Sequence, residues 1–181
     1  MNLFILQHLD QTIKKMRSQA ANLLTILNLG LGAFAIIFVL QGQLYTSLLF
    51  ICLAAVFDRF DGIVARKLNI TSDLGKQLDS LCDLISFGVA PALLLYSAIL
   101  FDFGTSGAIF TIIFIACGAI RLARFNVSEH HGYFVGLPIT AGGCLLTISF
   151  LLVGALPAPA FMFITLILSL LMISTFKVTK V

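Results

Sequence analysis

The sequence predicts an all-α fold: a polytopic membrane helix bundle of six transmembrane helices, with an N-terminal interfacial amphipathic helix ahead of it. Composition is the first reason. Of 181 residues, 60% are hydrophobic and 10% charged, against roughly 45–50% and 25% in soluble globular chains. Hydropathy is the second, because a mean of +1.09 with no long polar stretch leaves no room for a separate extramembrane domain. The third is charge placement: all 11 basic residues fall near the chain ends or on alternate connections between the apolar runs.

Residues 1–19 place Leu6, Leu9, Ile13 and Met16 at three- and four-residue intervals, with Lys14, Lys15 and Arg17 off that stripe. This is the pattern of a helix lying on an anionic leaflet. Residues 20–181 then read as one membrane domain, with apolar runs at 20–40, 44–60, 80–101, 107–124, 135–154 and 160–176, each close to the about 20 residues a span needs. The first run starts too late and is too long for a cleavable signal peptide. With the N-terminus in the cytoplasm, the connections at 66–78 and 125–134 and the C-terminus are cytoplasmic too. Lys14, Lys15, Arg17, Arg59, Arg66, Lys67, Lys76, Arg121, Arg124, Lys177 and Lys180 all lie there or at adjoining helix ends, whereas the turns at 41–43, 101–106 and 155–160 hold no Lys or Arg. That positive-inside asymmetry places both termini, and any site between the second and third spans, on the cytoplasmic face of the cell membrane. Cys52, Cys82, Cys117 and Cys144 stand singly in apolar runs without CxxC spacing; they are expected to be buried small hydrophobes. His130 and His131 fall in a hydrophilic cytoplasmic turn and read as solvated.

Five of the eight acidic residues, Asp58, Asp61, Asp73, Asp79 and Asp83, crowd into 26 positions between the second and third runs. Carboxylates at membrane depth are costly unless paired, metal-bound or hydrated, so they mark function. A solvated hairpin accounts for Asp73 but not for the other four. Asp58 and Asp61 are three apart, and Asp79 and Asp83 four apart, so each pair shares one face of its helix. Antiparallel neighbouring helices can bring all four to one focus, where protons or bound cations must relieve their repulsion. All-oxygen ligation favours Mg²⁺, Mn²⁺ or Ca²⁺, and four acids suit two divalent cations of the kind used for displacement at phosphorus. Gly62, Ala65 and Gly75 leave room for a phosphate ligand to approach the backbone, and Arg66 and Lys67 supply positive charge.

The string Asp58-x2-Asp61-Gly62-x2-Ala65-Arg66-x8-Gly75-x3-Asp79-x3-Asp83 resembles, without a missing position, the signature of the CDP-alcohol phosphatidyltransferases. The resemblance implies a homodimeric membrane enzyme with a six-helix core that displaces CMP from a CDP-linked donor with an alcohol, using two Mg²⁺ or Mn²⁺ ions. It further implies that Asp58, Asp61 and Asp79 hold the metal pair, that Asp83, also near the metals, deprotonates the acceptor, and that Gly62, Ala65, Arg66 and Gly75 shape the CDP site. Thr25 and Asn28, in the first span, would contact ribose or cytosine, with helix-to-helix hydrogen bonding as the alternative.

The flanks narrow the acceptor. Residues 84–91, LISFGVAP, the run 121–126, RLARFN, and Gly136-Leu137-Pro138 are similar to the branch that uses serine, so the resemblance covers about Asn22 to Ser174. It implies CDP-diacylglycerol and L-serine as substrates within a bed of membrane lipids, with no nucleic-acid partner. Arg121 and Arg124, three apart at a helix end, would bind an anion, either the diphosphate or the serine carboxylate, with membrane anchoring as the plain alternative. Asn126 would assist them, and Ser86 would shape an acceptor pocket or permit close packing. Other acceptors, glycerol 3-phosphate or inositol phosphate, are the nearest alternative. A divalent-cation transporter is the remote one, since Asp102 is the only acid on the far side of the membrane from the cluster.

Overall fold

The computed structural model describes residues 23–67, 73–127, 133–175 and 177–179, with no side-chain description at 61, 62, 64–67, 73, 133–135 and 177–179. The amphipathic helix expected at 1–19, His130 and His131, and the side chains of Asp61, Gly62, Ala65, Arg66 and Lys67 therefore lie outside the described residues.

Helical rods follow the six apolar runs. The first is α1, Leu23–Leu40, which ends where the chain turns through Gly42 at φ 75. The Gly42 and Gln43 amides donate back to the Val39 and Phe38 carbonyls at 2.9 Å, and a left-handed residue after the last helical turn is what lets them reach. The second rod, α2, runs Leu44–Lys67. The third is compound: α3, Asp73–Asp83, passes without a break into a π-helical turn, Leu84–Val89, and then into α4, Ala90–Ala98. A short 3₁₀ turn, Leu100–Phe103, leads to α5, Thr105–Val127. Two shorter rods close the bundle, α6 at Ile139–Phe150 and α7 at Ala158–Ile173.

Three helical stretches, Leu23–Leu40, Leu74–Ala98 and Thr105–Val127, are long and apolar enough to cross a membrane. The 24 residues of α2 are long enough, but every 18-residue stretch of it contains Asp58, Arg59 and Asp61. The 12 residues of α6 and 16 of α7 reach only about 18 and 24 Å at 1.5 Å per residue. Hydropathy marks where the apolar runs stop, not where helices stop. α2 thus continues past residue 60, and the third rod begins at Asp73, not at 80, because both ends remain helical after turning polar.

One departure from an all-helical chain is a small antiparallel ribbon, β1 Tyr133–Val135 with β2 Lys177–Thr179, Phe134 facing Val178. Its residues are aromatic or β-branched apart from the lysine, which suits a strand. The expected span at 135–154 begins in this ribbon because apolarity runs on from Val135 into the helix. Between them Gly136, at φ 72, lies against the end of α7: a Cβ there would come 2.7 Å from the Ser174 carbonyl oxygen and 2.8 Å from that of Met172. The Leu137 amide donates to the Leu171 carbonyl at 3.0 Å.

Within the bundle α5 packs on α7 and α4 on α6, around a core in which Phe87, Leu94, Leu95, Phe114, Ile139, Leu146 and Phe161 are fully buried. Polar residues are buried as well. Thr111, Thr147, Thr165 and Ser169 each donate to the carbonyl four residues earlier, at 2.7–2.9 Å, which satisfies a hydroxyl where no water is present. Large apolar side chains such as Leu40, Ile112, Phe163 and Leu170 point outward, as lipid-facing residues do. Cys82 and Cys117 are buried as expected, but Cys52 is exposed, on the outward face of α2 between Leu49 and Val56, and Cys144 is intermediate.

Candidate active site

The end of α2 and the start of the third rod meet at one acidic focus. Asp58 from α2 and Asp79 and Asp83 from α3 each present a carboxylate oxygen, and the three oxygens lie within 4.8 Å of one another. The four-residue step from Asp79 to Asp83 puts both on one face of α3. Asp58 and Asp83 are within hydrogen-bonding reach of each other. Asp83 is buried and the other two are half-buried. Two unit charges 4.8 Å apart repel by about 3 kcal/mol at an effective dielectric near 20, so three ionised carboxylates here call for a counter-charge. A set made only of carboxylate oxygens fits a hard divalent cation. Asp61 is one turn beyond Asp58 on α2, its side chain outside the described residues.

A cationic side stands opposite. Arg121 of α5 is close enough to Asp83 for their charges to attract. Its guanidinium lies 5.5 Å from the centre of the Phe125 ring, and the Lys76 ammonium lies 5.6 Å from the same centre. The Phe125 ring thus has two cations close to it, one of them drawn to Asp83. Lys76 also donates to the Asn126 carbonyl at 3.2 Å. The Asn126 amide donates to Ser80 Oγ at 3.0 Å and to Gln77 Oε1 at 3.3 Å, which ties α5 to α3 just below the acids. Arg124 Nη1 donates to the Ile173 carbonyl, 3.0 Å away at the end of α7. The structure brings Asp58, Asp79, Asp83 and Arg121 together, and it places Asn126 at the α3–α5 junction.

Thr25 and Asn28 are buried on α1. The Asn28 side-chain amide is fully buried, and neither its oxygen nor its nitrogen has a hydrogen-bond partner among the described residues. Such an orphan costs on the order of 1–3 kcal/mol. Ser86, in the π turn, is buried and donates from Oγ to the Asn28 carbonyl at 3.2 Å, so its hydroxyl faces α1. Gly75 sits half-buried one turn before Asp79. Sequence reasoning passed over Ser80, Gln77 and the ring of Phe125. The signal available was helical spacing, since Lys76, Ser80 and Asp83 recur at intervals of four and three.

The sequence profile of the CDP-alcohol phosphatidyltransferase family matches residues 18–178, nearly the whole chain. The chain belongs to the CDP-alcohol phosphatidyltransferases. Among individual relatives, the CDP-diacylglycerol–serine O-phosphatidyltransferase of Bacillus subtilis is 41% identical over 71% of this chain and 73% of its own length. The protein of the same name from Methanocaldococcus jannaschii is 47% identical over 67% of this chain, a stretch that spans only 55% of that relative. The archaetidylserine synthase of Methanothermobacter thermautotrophicus is 39% identical over 88% of this chain and 69% of its own length. Within this CDP-alcohol phosphatidyltransferase, the acid focus of Asp58, Asp79 and Asp83 lies beside Arg121.

Proposed function

We propose that this chain transfers the phosphatidyl group of CDP-diacylglycerol to L-serine, giving phosphatidylserine and CMP. The observation that carries the chemistry is the meeting of Asp58, Asp79 and Asp83 within 4.8 Å. The acceptor rests on the names of the relatives, which specify serine whether the lipid is diacylglycerol or archaetidyl.

In this reading Asp58, Asp61, Asp79 and Asp83 would hold two divalent cations, Mg²⁺ or Mn²⁺, which supply charge neutralisation of the diphosphate and of the departing phosphate. Asp83 accepts the proton of the serine hydroxyl. The freed serine Oγ attacks the phosphorus that carries diacylglycerol, the bond from that phosphorus to the bridging oxygen breaks, and CMP departs with the electron pair. Arg121, with Lys76 beside it on Phe125, provides the positive surface for the serine carboxylate or the diphosphate. A carboxylate left unpaired in such a site would be prohibitively costly. The family resemblance assigns Gly62, Ala65, Arg66 and Gly75 to the donor headgroup, and the amide of Asn28, with Thr25, would receive the cytidine. With six spans and the basic residues on the inner side, this site would lie at the cytoplasmic surface, the donor's tails in the bilayer and serine arriving from the cytosol. The working unit is a homodimer, as in the family the sequence resembles.

The test is CMP release by purified protein given CDP-diacylglycerol and, separately, serine, glycerol 3-phosphate and inositol phosphate. Serine alone should support release, with phosphatidylserine as the lipid product. Release that depends on either of the others would replace the acceptor and leave the donor chemistry standing.

A further inference from the structure

The rod bearing Asp79 and Asp83 changes its winding immediately after Asp83. Leu84–Val89 is π-helical, and the Ala90 amide donates to the Ile85 carbonyl, five residues back. An α-helix advances about 100° per residue, so the extra residue of a wide turn rotates the acid-bearing half by about that angle relative to α4. The α4 half is fixed in the core by Leu94 and Leu95, both fully buried. Turns of this kind are rare, and they concentrate at functional sites.

Here two glycines from different helices hold the turn. A Cβ on Gly32 of α1 would stand 2.9 Å from Ser86 Cα, and one on Gly143 of α6 would stand 2.9 Å from the Phe87 carbonyl carbon and 2.8 Å from Phe87 Cβ. All of these are closer than real Cβ contacts come, and two of the three are to backbone. The Ser86 hydroxyl then clips the turn to the Asn28 carbonyl of α1. Ser86, Phe87 and Gly88 are buried between the two helices.

We infer that Gly32 and Gly143 are positioning residues. They let α1 and α6 close on the backbone of the π turn, and that closure sets the rotation at which Asp79 and Asp83 meet Asp58. The inference rests on the reading of these acids as the divalent-cation site. A methyl at either glycine pushes the turn away and misaligns the carboxylates without touching them, as changes behind a ligand shell do elsewhere.

The experiment titrates Mn²⁺ into purified, metal-free Gly32→Ala, Gly143→Ala and wild-type protein without substrate, following free Mn²⁺ by electron paramagnetic resonance, and measures kcat separately. Gly30→Ala is the control, because a Cβ at Gly30 meets nothing within 4 Å. The Gly32 and Gly143 variants should bind Mn²⁺ about tenfold more weakly, with kcat falling at least as far, and Gly30→Ala should match wild type. A loss of folded protein alone lowers the number of sites and leaves the dissociation constant unchanged, so the two effects separate. Wild-type affinity and kcat in both folded variants would overturn the inference. Should neither fold, Ser86→Ala decides in their place: it removes the clip without adding volume, and unchanged Mn²⁺ affinity in it overturns the inference equally. Wild-type protein that bound no Mn²⁺ would instead contradict the functional reading on which the inference stands.

Discussion

Asp83 is the most enclosed of the three clustered acids, and its charge and that of Arg121 on another helix attract. That position suits a group that takes a proton in the reaction, whereas Asp58 and Asp79, half-buried, suit ligands. Asp58→Asn and Asp79→Asn should therefore lower turnover and Mn²⁺ affinity together, and Asp83→Asn should lower kcat by about a hundredfold or more with a smaller change in affinity. Steady-state CMP release and direct Mn²⁺ titration on the same preparations check this. The two arginines also part ways. Arg121→Lys keeps the charge but loses the planar fork, and should raise the serine KM about tenfold, roughly 1.4 kcal/mol. Arg124→Gln should leave that KM within about twofold and lower the thermal midpoint by about 2 °C, the effect of losing a hydrogen bond worth less than about 1 kcal/mol. The acid focus was legible in the sequence because steps of three and four on a helix fix which side chains share a face. The hydrogen bond of Arg124 to the end of α7 was not, because no local spacing in α5 records where the Ile173 carbonyl falls in space.

Among the elements, α1, α5, α7 and the apolar part of α2 could be read from apolar runs alone, whereas two features needed the fold. The π turn at Leu84–Val89 leaves no mark on hydropathy, because its residues simply begin the apolar run that continues through α4, and the close approach of Gly32 and Gly143 to its backbone is visible only in the fold. The ribbon was hidden for the same reason, since Val135 merges with the apolar run of α6. Gly136-Leu137-Pro138 acquires a physical meaning from this architecture: it is the corner at which the ribbon turns into α6 against the carbonyls of α7. Gly136→Ala would need both a left-handed backbone and space already filled by the Met172 and Ser174 carbonyl oxygens. It should cost about 1–3 kcal/mol and lower the thermal midpoint by several degrees. Thermal unfolding in detergent, with kcat taken per folded molecule, checks the effect and separates it from catalysis.

At the scale of the whole molecule, the buried surface carries hydroxyls that satisfy themselves on their own helices, and large apolar side chains face outward. Hydroxyls satisfied within their own helices and apolar side chains on the outside are what a bilayer demands. The positive-inside pattern predicts an orientation: Gly104→Cys and Gly42→Cys should react with a membrane-impermeant maleimide in intact cells, and Gln77→Cys only after permeabilisation. Reversed labelling would turn the site to the other face. The central claim is that the acids of α2 and α3 gather divalent cations to drive serine-dependent loss of CMP, and CMP release from purified, metal-free protein tests it most directly. With CDP-diacylglycerol and serine present, release should be absent in excess EDTA and restored by Mg²⁺ or Mn²⁺; full release in excess EDTA would contradict the account.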